Sequence, residues 1–389
     1  MTDAIYPFRI EIPQAALDDL RDRLLRTRWP REIGDNSNWQ AGTNLAYMRE
    51  LTDYWLNHYD WRVQERAMNE FPQFRTTIDG VPIHFIQVKG KGPNPMPLII
   101  NHGWPWTFWD MRKIIGPLTD PAAYGGDPAD AFKVIAPSLP GFAFSSPLEK
   151  PGMYFAPTAD LWVKLMARLG HERFATQGGD VGAFVSSMLG HKYPEKIIGV
   201  HLHLLMALKQ PYPAPEDFAP EEAAWGAKFA KFFADGSGYM HIQRTRPQTI
   251  SFAMHDSPVG LAAWLIDKRR AWSDCDGNVE SVFSKDDLIT SAMLYWLTET
   301  YESSARHYYE AKPERFAAAH VHDRTPVVEA PTGVLQFNGD VWLQPRKWAE
   351  RYYNLKRWNV VEKGGHFAPM EAPAVLVKDL REFFRPLRA

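Results

Sequence analysis

Six short apolar runs, each followed by a loop, restrict the fold of this chain more than any other feature. They alternate with stretches of helical periodicity between residues 97 and 367. Apolar runs that alternate with helical stretches predict a mostly parallel sheet with helices on both faces. The runs and their loops read PLIINHGWP, FKVIAPSLPGFAFS, FATQGGD, IIGVHLHL, TGVLQFNGD and WNVVEKGGHF.

Two further units flank or interrupt this sheet. Between Pro13 and Pro30, leucines at positions 17, 20, 24 and 25 have helical spacing and predict an amphipathic helix. A second helix follows in NLAYMRELTDYWLNHYDW, and two alternating strands then flank an Asp79–Gly80 turn. The segment from 208 to 327 is too long for a loop and predicts an inserted cap. We therefore predict a meander over 1–90, a core over 91–207 and 328–389, and a helical cap over 208–327.

Composition and charge exclude several classes of protein. The net charge is -2, the pI is near 6.7 and no basic run occurs, which argues against nucleic-acid binding. The single cysteine, Cys275, cannot form an internal disulfide. No apolar run approaches the roughly 18 residues that cross a bilayer, and the amino terminus lacks signal-peptide features, so we expect a cytoplasmic protein with no membrane partner. No phosphate or dinucleotide cradle follows a strand, so no cofactor is implied.

Three of the loops end on residues that can do chemistry. Asp180, Asp340 and His366 follow apolar runs, and loops at the carboxyl ends of parallel strands carry the active sites of open sheets. Nucleophile, acid and histidine in this chain order are typical of the α/β-hydrolase fold, whose nucleophile lies on a sharp elbow between small residues. The small residues at this elbow are Gly178, Gly179 and Gly182.

An aspartate at the elbow changes the chemistry that the site can support. A serine must lose a proton before it attacks, whereas a carboxylate is already nucleophilic at neutral pH. Attack by a carboxylate on a saturated carbon leaves an ester that water can hydrolyse, with a histidine as general base. Asp180 therefore indicates displacement at an alkyl carbon, and epoxides and alkyl halides are the candidate substrates.

With these residues, eight ordered motifs make the chain resemble the microsomal-type epoxide hydrolases and their soluble bacterial and fungal relatives. The resemblance covers nearly the whole chain, including the amino-terminal segment from Ile5 to Pro30. It implies an α/β-hydrolase core, a wrapping amino-terminal meander and a helical cap. The motifs are NHGWPWTFW, SLPGFAFS, GGDVG, GSGYMHIQ, SPVGLAAW, LYWLTETYESSARHYYE, NGDVWLQPRKW and GGHFAPMEAP.

The resemblance also implies catalytic roles. Asp180 matches the alkylating nucleophile of the family, Asp340 its charge-relay acid and His366 its general base. Two cap tyrosines of the family donate hydrogen bonds to the epoxide oxygen, and they match Tyr239 and Tyr308. Two phenol donors in a dry cavity would stabilise the negative charge that develops on the oxygen as the ring opens.

The same comparison indicates an oxyanion hole and a pocket. The backbone N–H groups of Trp104 and Val181 are the expected donors to the oxyanion. The peptide bond between Trp104 and Pro105 is expected to be cis. Trp104, Pro105, Trp106 and Phe144 are expected to line the pocket for a small apolar epoxide. Homodimerisation is expected only by analogy, and no metal is implied.

The residues taken alone leave alternatives open. Asp180 stands where a helix N-cap would stand. Asp340 could be an ordinary turn residue, with Glu329 and Asp323 as weaker candidates for the relay acid. His102 is expected to brace its loop.

Other tyrosines and histidines compete for the assigned roles. Tyr301 or Tyr309 could replace Tyr308, because all three occur on one helix. His201 and His203 alternate on a strand and could share a metal, but without a third ligand we expect a buried, hydrogen-bonded pair.

The chain departs from the family in ways that bear on rival functions. Val181 stands where microsomal enzymes commonly carry Trp, and Trp106 stands where a small residue is frequent. The membrane-bound members have an additional apolar anchor, whereas this sequence begins at the meander, so we expect a soluble protein. A haloalkane dehalogenase would need a halide donor after the nucleophile, which Val181 cannot supply. A catalytically inactive relative that only binds a ligand would be expected to lack at least one of the five assigned catalytic residues.

Overall fold

A single nine-stranded sheet organises the computed structural model, which describes residues 4–205, 212–312 and 325–388. Its strands are β1 (Tyr6–Phe8), β2 (Gln73–Ile78), β3 (Val81–Val88), β4 (Met96–Asn101), β5 (Phe132–Pro137), β6 (Phe174–Gly178), β7 (Ile197–Leu202), β8 (Val328–Phe337) and β9 (Tyr353–Val361). Their order is β1-β2-β3-β5-β4-β6-β7-β8-β9. The pairings from β1 to β5 are antiparallel and those from β5 through β4 to β9 are parallel.

The sheet confirms the fold class predicted from the apolar runs. Each of the six runs forms one of the strands β4 to β9, and the central strands are buried along nearly their whole length. Because these strands are parallel, the loops after β4, β6, β8 and β9 emerge at one edge of the sheet. That edge brings together segments that lie far apart in the sequence.

Helices cover the sheet and fill the interval between β7 and β8. Each is a continuous stretch in the described ranges, and none of them is long and apolar enough to cross a membrane. They are α1 (Gln14–Leu25), α2 (Leu45–Asn57), α3 (Trp61–Met68), α4 (Arg112–Thr119), α5 (Phe155–Arg168), α6 (Val181–Lys192), α7 (Ala223–Lys231), α8 (Gly238–Thr245), α9 (Pro247–Asp256), α10 (Pro258–Trp272), α11 (Lys285–Leu297), α12 (Tyr301–Glu310), α13 (Arg346–Tyr352), α14 (Ala368–Glu371) and α15 (Pro373–Phe384).

The amino-terminal elements agree with the sequence pattern except at the end of α1. Leu20 and Leu24 are buried as expected, but Leu25 is 62% exposed, so its placement on the apolar face was wrong. Successive helix residues are rotated by about 100°, which turns Leu25 away from the face that Leu24 buries. The helix also ends well before Pro30. Asp79 and Gly80 join β2 to β3 with φ of 51° and 80°, as a type I′ hairpin turn requires.

The helices between β7 and β8 pack on both the core and the amino-terminal segment. α10 contacts α1, α2, α9 and α11. Arg269 of α10 also donates to Asp110 in the segment after β4, so these helices stand over the sheet edge where the loops emerge. The boundaries 1–90, 91–207, 208–327 and 328–389 remain predictions.

Candidate active site

Asp180 lies on a strained elbow between β6 and α6. Its φ of 50° and ψ of -127° place a residue with a side chain in a region that favours glycine. The carboxylate makes no capping hydrogen bond to α6, so Asp180 does not serve as the N-cap considered from the sequence. Instead, the backbone N–H of Trp104 donates to its Oδ1 at 2.7 Å. The strain therefore aims the carboxylate at the loop after β4.

Two glycines permit this close approach of backbone and side chain. A Cβ on Gly103 would lie 2.4 Å from Asp180 Oδ1, and one on Gly182 would lie 2.2 Å from the carbonyl oxygen of Asn101. Any larger side chain would push the elbow away from the loop after β4. The close packing of this site therefore requires glycine at positions 103 and 182.

His366 lies between the two carboxylates. Its Nδ1 is 3.1 Å from Asp340 Oδ1, and its Nε2 is 3.5 Å from Asp180 Oδ2. The imidazole is 4% exposed. Asp340 is held in turn by the Trp342 backbone N–H, which donates to its Oδ1 at 3.1 Å. The structure thus brings together the three residues that the chain order predicts to act as nucleophile, acid and base.

The two carboxylates control the charge of His366. Burial alone lowers the pKa of this histidine, but Asp340 and then Asp180 outweigh that effect and raise the pKa to about 10. His366 is therefore an imidazolium at neutral pH. Removal of the Asp180 charge would lower the pKa of His366 again.

Tyr239 and Tyr308 converge on the same space from helices α8 and α12. Their ring centroids are 5.8 Å apart, and the indole of Trp104 stacks on Tyr239 at 5.0 Å and meets Tyr308 edge-on at 5.9 Å. Burial, followed by the Asp180 charge, raises the pKa of Tyr239 above its ordinary value. Burial and the neighbouring Tyr239 and Asp180 also raise that of Tyr308. Both phenols are therefore protonated and able to donate at neutral pH.

The alternative tyrosines of α12 are engaged elsewhere. The Tyr301 hydroxyl donates to Gln243 Oε1 at 3.3 Å. The Tyr309 ring faces the ammonium of Lys312 at 3.7 Å and the guanidinium of Arg306 at 5.5 Å. Of the three, Tyr308 is the one whose ring meets Trp104.

The predicted pocket residues lie in two different loops, after β4 and after β5. The Trp104–Pro105 peptide is cis, as predicted. The Trp106 ring stands perpendicular to His366 at 5.6 Å. The Phe144 ring packs on Phe8, His84 and Phe108 under the amino-terminal segment, and its place in the pocket remains a prediction. Its loop turns back toward β1, which the local sequence does not reveal. Val181 directly follows Asp180 as the first residue of α6.

Comparison with known proteins identifies the family of this chain. Residues 5–111 match the family described as epoxide hydrolase N terminus, and residues 96–263 match the alpha/beta hydrolase fold. A relative from Stigmatella aurantiaca, also assigned to the epoxide hydrolases, is 42% identical over 99% of this chain and 86% of its own length. Epoxide hydrolase 1 of Oryctolagus cuniculus is 36% identical over 98% of this chain and 89% of its own. The chain belongs to the epoxide hydrolase family.

Solved structures of family members have the same fold. The juvenile hormone epoxide hydrolase of the silkworm Bombyx mori superposes with a TM-score of 0.89 at 29% identity, covering 100% of this chain and 95% of that one. The Aspergillus niger epoxide hydrolase superposes with a TM-score of 0.87 at 29% identity, covering 99% and 97%. This epoxide hydrolase family member is therefore a hydrolase with an α/β-hydrolase fold, as the resemblance implied.

Of the two weaker candidates for the relay acid, Glu329 lies at the opposite end of β8 from Asp340. Glu329 stands near the start of β8, whereas Asp340 follows the carboxyl end of the same strand, where the active-site loops of this family member emerge. Asp323 lies outside the described residues.

His102, His201 and His203 are each buried and hydrogen-bonded. His102 Nε2 accepts from the Leu139 N–H at 3.0 Å, and burial lowers its pKa to about 4. His201 bonds to Asp379 at 2.9 Å and His203 to Gln177 at 2.8 Å, so the two are hydrogen-bonded to separate partners. Within the described ranges, no group of three His, Cys, Asp or Glu residues could hold a metal ion.

Trp272, at the end of α10, is a site residue that the sequence analysis missed. Its ring lies 5.1 Å from both His366 and Tyr239. The SPVGLAAW motif lies in this helix, but nothing in its pattern indicates that the carboxyl end of the helix reaches the base. The contact arises because α10 crosses over the sheet edge.

Proposed function

We propose that this enzyme adds water to an oxirane and forms a vicinal diol through a covalent ester of Asp180. One observation carries the proposal: the Asp180 carboxylate makes no capping hydrogen bond to its helix but lies between the Trp104 N–H donor and the imidazole of His366. A carboxylate held in this way is a nucleophile beside a latent base. The residues around it are aromatic, which supports a substrate with an apolar substituent.

In the first step, the oxygen of Asp180 that is free of the backbone attacks a ring carbon. Oδ1 is held by the Trp104 N–H, so Oδ2 forms the new C–O bond while the ring C–O bond breaks. The electron pair of that bond moves to the oxirane oxygen, where Tyr239 and Tyr308 donate hydrogen bonds and one of them transfers its proton. The tyrosinate regains a proton that originates from the His366 imidazolium. The predicted segment 208–327 acts as the cap that supplies both phenols.

In the second step, His366 acts as the base. The ester carries no charge, so the pKa of His366 falls from about 10 toward its ordinary value and the neutral imidazole persists. It takes a proton from water as the water attacks Asp180 Cγ, and the charge on Oδ1 is stabilised by the N–H groups of Trp104 and Val181. The Cγ–Oδ2 bond breaks, the diol oxygen takes the proton from His366, and the acid formed at Asp180 returns its proton to His366.

The direct test is a single turnover of styrene oxide in oxygen-18 water with enzyme in excess. The scheme predicts an unlabelled diol and one oxygen-18 atom in the peptide that contains Asp180, because water enters the carboxylate and the old oxygen leaves with the product. Mass spectrometry of both species distinguishes the outcomes. Label in the diol alone would contradict the ester, and halide release from an alkyl halide without any diol would indicate the dehalogenase.

Loss of either phenol should slow ester formation. We expect Tyr239→Phe and Tyr308→Phe each to reduce the alkylation rate about 100-fold, the effect of removing one donor to a developing oxyanion. The double variant should be slower still, because neither hydroxyl remains. Rapid-quench measurement of ester formation checks this, with Tyr309→Phe on the same helix as the matched control. An unchanged rate in both single variants would mean that other groups donate to the oxygen.

A further inference from the structure

The loop that carries His366 is fastened to the helical insertion rather than to the core alone. The His366 backbone N–H donates to the Trp272 carbonyl oxygen at 3.0 Å, and the Gly364 N–H donates to Asp274 Oδ2 at 3.0 Å. Trp272 ends α10, and Asp274 follows it by two residues. Two backbone groups of the base loop therefore depend on the turn that ends α10.

Glu371 joins the same two segments from the other side. Its Oε1 accepts from the Phe367 N–H at 2.8 Å, and its Oε2 accepts from the Asp274 N–H at 2.8 Å. One carboxylate thus holds the residue after His366 and the turn after α10 together. A carboxylate suits this position because both of its oxygens accept and neither donates.

Close packing leaves this contact little freedom. A Cβ on Gly339, next to Asp340, would lie 2.6 Å from Asp274 Cβ, and one on Gly365 would lie 2.8 Å from the Asp274 nitrogen. The loops that carry Asp340 and His366 therefore both pack closely against Asp274.

The helix that presents this turn is anchored by a buried ion pair. Arg269 of α10 donates to both carboxylate oxygens of Asp110 at 2.6 and 3.1 Å, and it also donates to the Pro105 carbonyl oxygen. Arg269 is 2% exposed. One helix is thus tied to the loop that supplies the Trp104 N–H and to the loop that supplies His366.

We propose that Asp274 and Glu371 are positioning residues for the general base, and that they act on hydrolysis of the Asp180 ester and not on its formation. The proposal rests on the proposed function. Formation of the C–O bond in alkylation uses Asp180, Tyr239 and Tyr308, and neither residue is hydrogen-bonded to any of them in the described structure. His366 only returns a proton to the phenol afterwards, which does not require it to face Asp180 Cγ. Hydrolysis requires the His366 imidazole to be oriented toward a water molecule beside Asp180 Cγ. A small displacement of a catalytic group strongly lowers the reaction rate.

The test measures the two steps separately. In rapid-quench mass spectrometry with styrene oxide, Asp274→Ala should form the ester within about twofold of the wild-type rate and hydrolyse it about tenfold more slowly or worse, because the base is misplaced. Asp274→Asn should restore hydrolysis to near the wild-type rate, because its amide oxygen still accepts from the Gly364 N–H. Glu362→Gln, an exposed change two residues before Gly364, is the matched control.

A second variant covers the case in which Asp274→Ala fails to fold. Glu371→Gln keeps one acceptor and places an amide NH2 against the other N–H, so it should also accumulate ester. Equal slowing of both steps, or hydrolysis at the wild-type rate in folded Asp274→Ala or Glu371→Gln, would overturn the positioning role while the wild type still forms its ester. If the wild type forms no Asp180 ester, the proposed function itself fails, and this role fails with it.

Discussion

Asp180→Ala should abolish diol formation, with a loss in kcat of about 10⁴-fold or more, the scale observed when a nucleophile is removed. Its effect is expected to exceed that of any other single change, because no second carboxylate stands on the elbow. His366 Nε2 faces Asp180 Oδ2 at 3.5 Å, so the variant also removes the negative charge that favours the imidazolium. The rate of styrene oxide hydrolysis and the mass of the protein after substrate addition provide the measurement.

The controls for this experiment separate chemistry from folding. Asp180→Asn keeps the size and shape of the side chain on the strained elbow, where φ is 50°, and should be equally unable to alkylate because its neutral amide is not a nucleophile. Asp22→Ala removes an exposed carboxylate on α1 and should leave turnover unchanged. Turnover by a folded Asp180→Ala protein at the wild-type rate would assign the nucleophile elsewhere.

His366→Gln should trap the enzyme as its ester. Alkylation uses the carboxylate and the phenols, and without His366 the tyrosinate can take its proton from solvent, whereas hydrolysis loses its general base, which contributes about 10² to 10⁴-fold. Intact-mass measurement after mixing with styrene oxide should therefore show an adduct of one substrate that persists, while the wild-type protein returns to its original mass. His58→Gln, an exposed change on the amino-terminal segment, serves as the control.

This result distinguishes a base from a residue that only shapes the pocket. If His366→Gln neither alkylates nor turns over, His366 is required for the first step, and the division of labour proposed here is wrong. If it releases diol at the wild-type rate, another group activates water. His203, the other buried histidine beside Trp106, is then the next residue to change.

Much of the fold could be predicted because it depends on local patterns. Strands buried on both faces must be continuous apolar runs, so β4 to β8 were visible in the sequence, and the edge strand β9 was visible from the short run WNVV. The Asp79–Gly80 hairpin was visible because its two positive φ values favour those residue types. Leu25 shows the limit of periodicity, since an apolar residue at the end of a helix can lie on either side of the boundary between core and solvent.

The grouping of the proposed catalytic residues could be predicted for a related reason. Asp180, Asp340 and His366 each follow a strand, and parallel strands deliver their carboxyl ends to one edge whatever the distance along the chain. Tyr239 and Tyr308 came from the family resemblance, because helical periodicity alone could not separate Tyr308 from Tyr301 and Tyr309.

The sequence by itself determined the sheet, the elbow and the order of nucleophile, acid and base, because those depend on residues that are neighbours in the chain or on the common edge of a parallel sheet. Only the tertiary structure decided that Phe144 packs under the amino-terminal segment and that Trp272, Asp274 and Glu371 surround His366. The hydrogen bond between Asp274 and Glu371, for example, joins residues that are 97 positions apart in the chain. The geometry of these contacts depends on how α10 crosses the sheet edge, and no local pattern of apolar residues specifies that crossing.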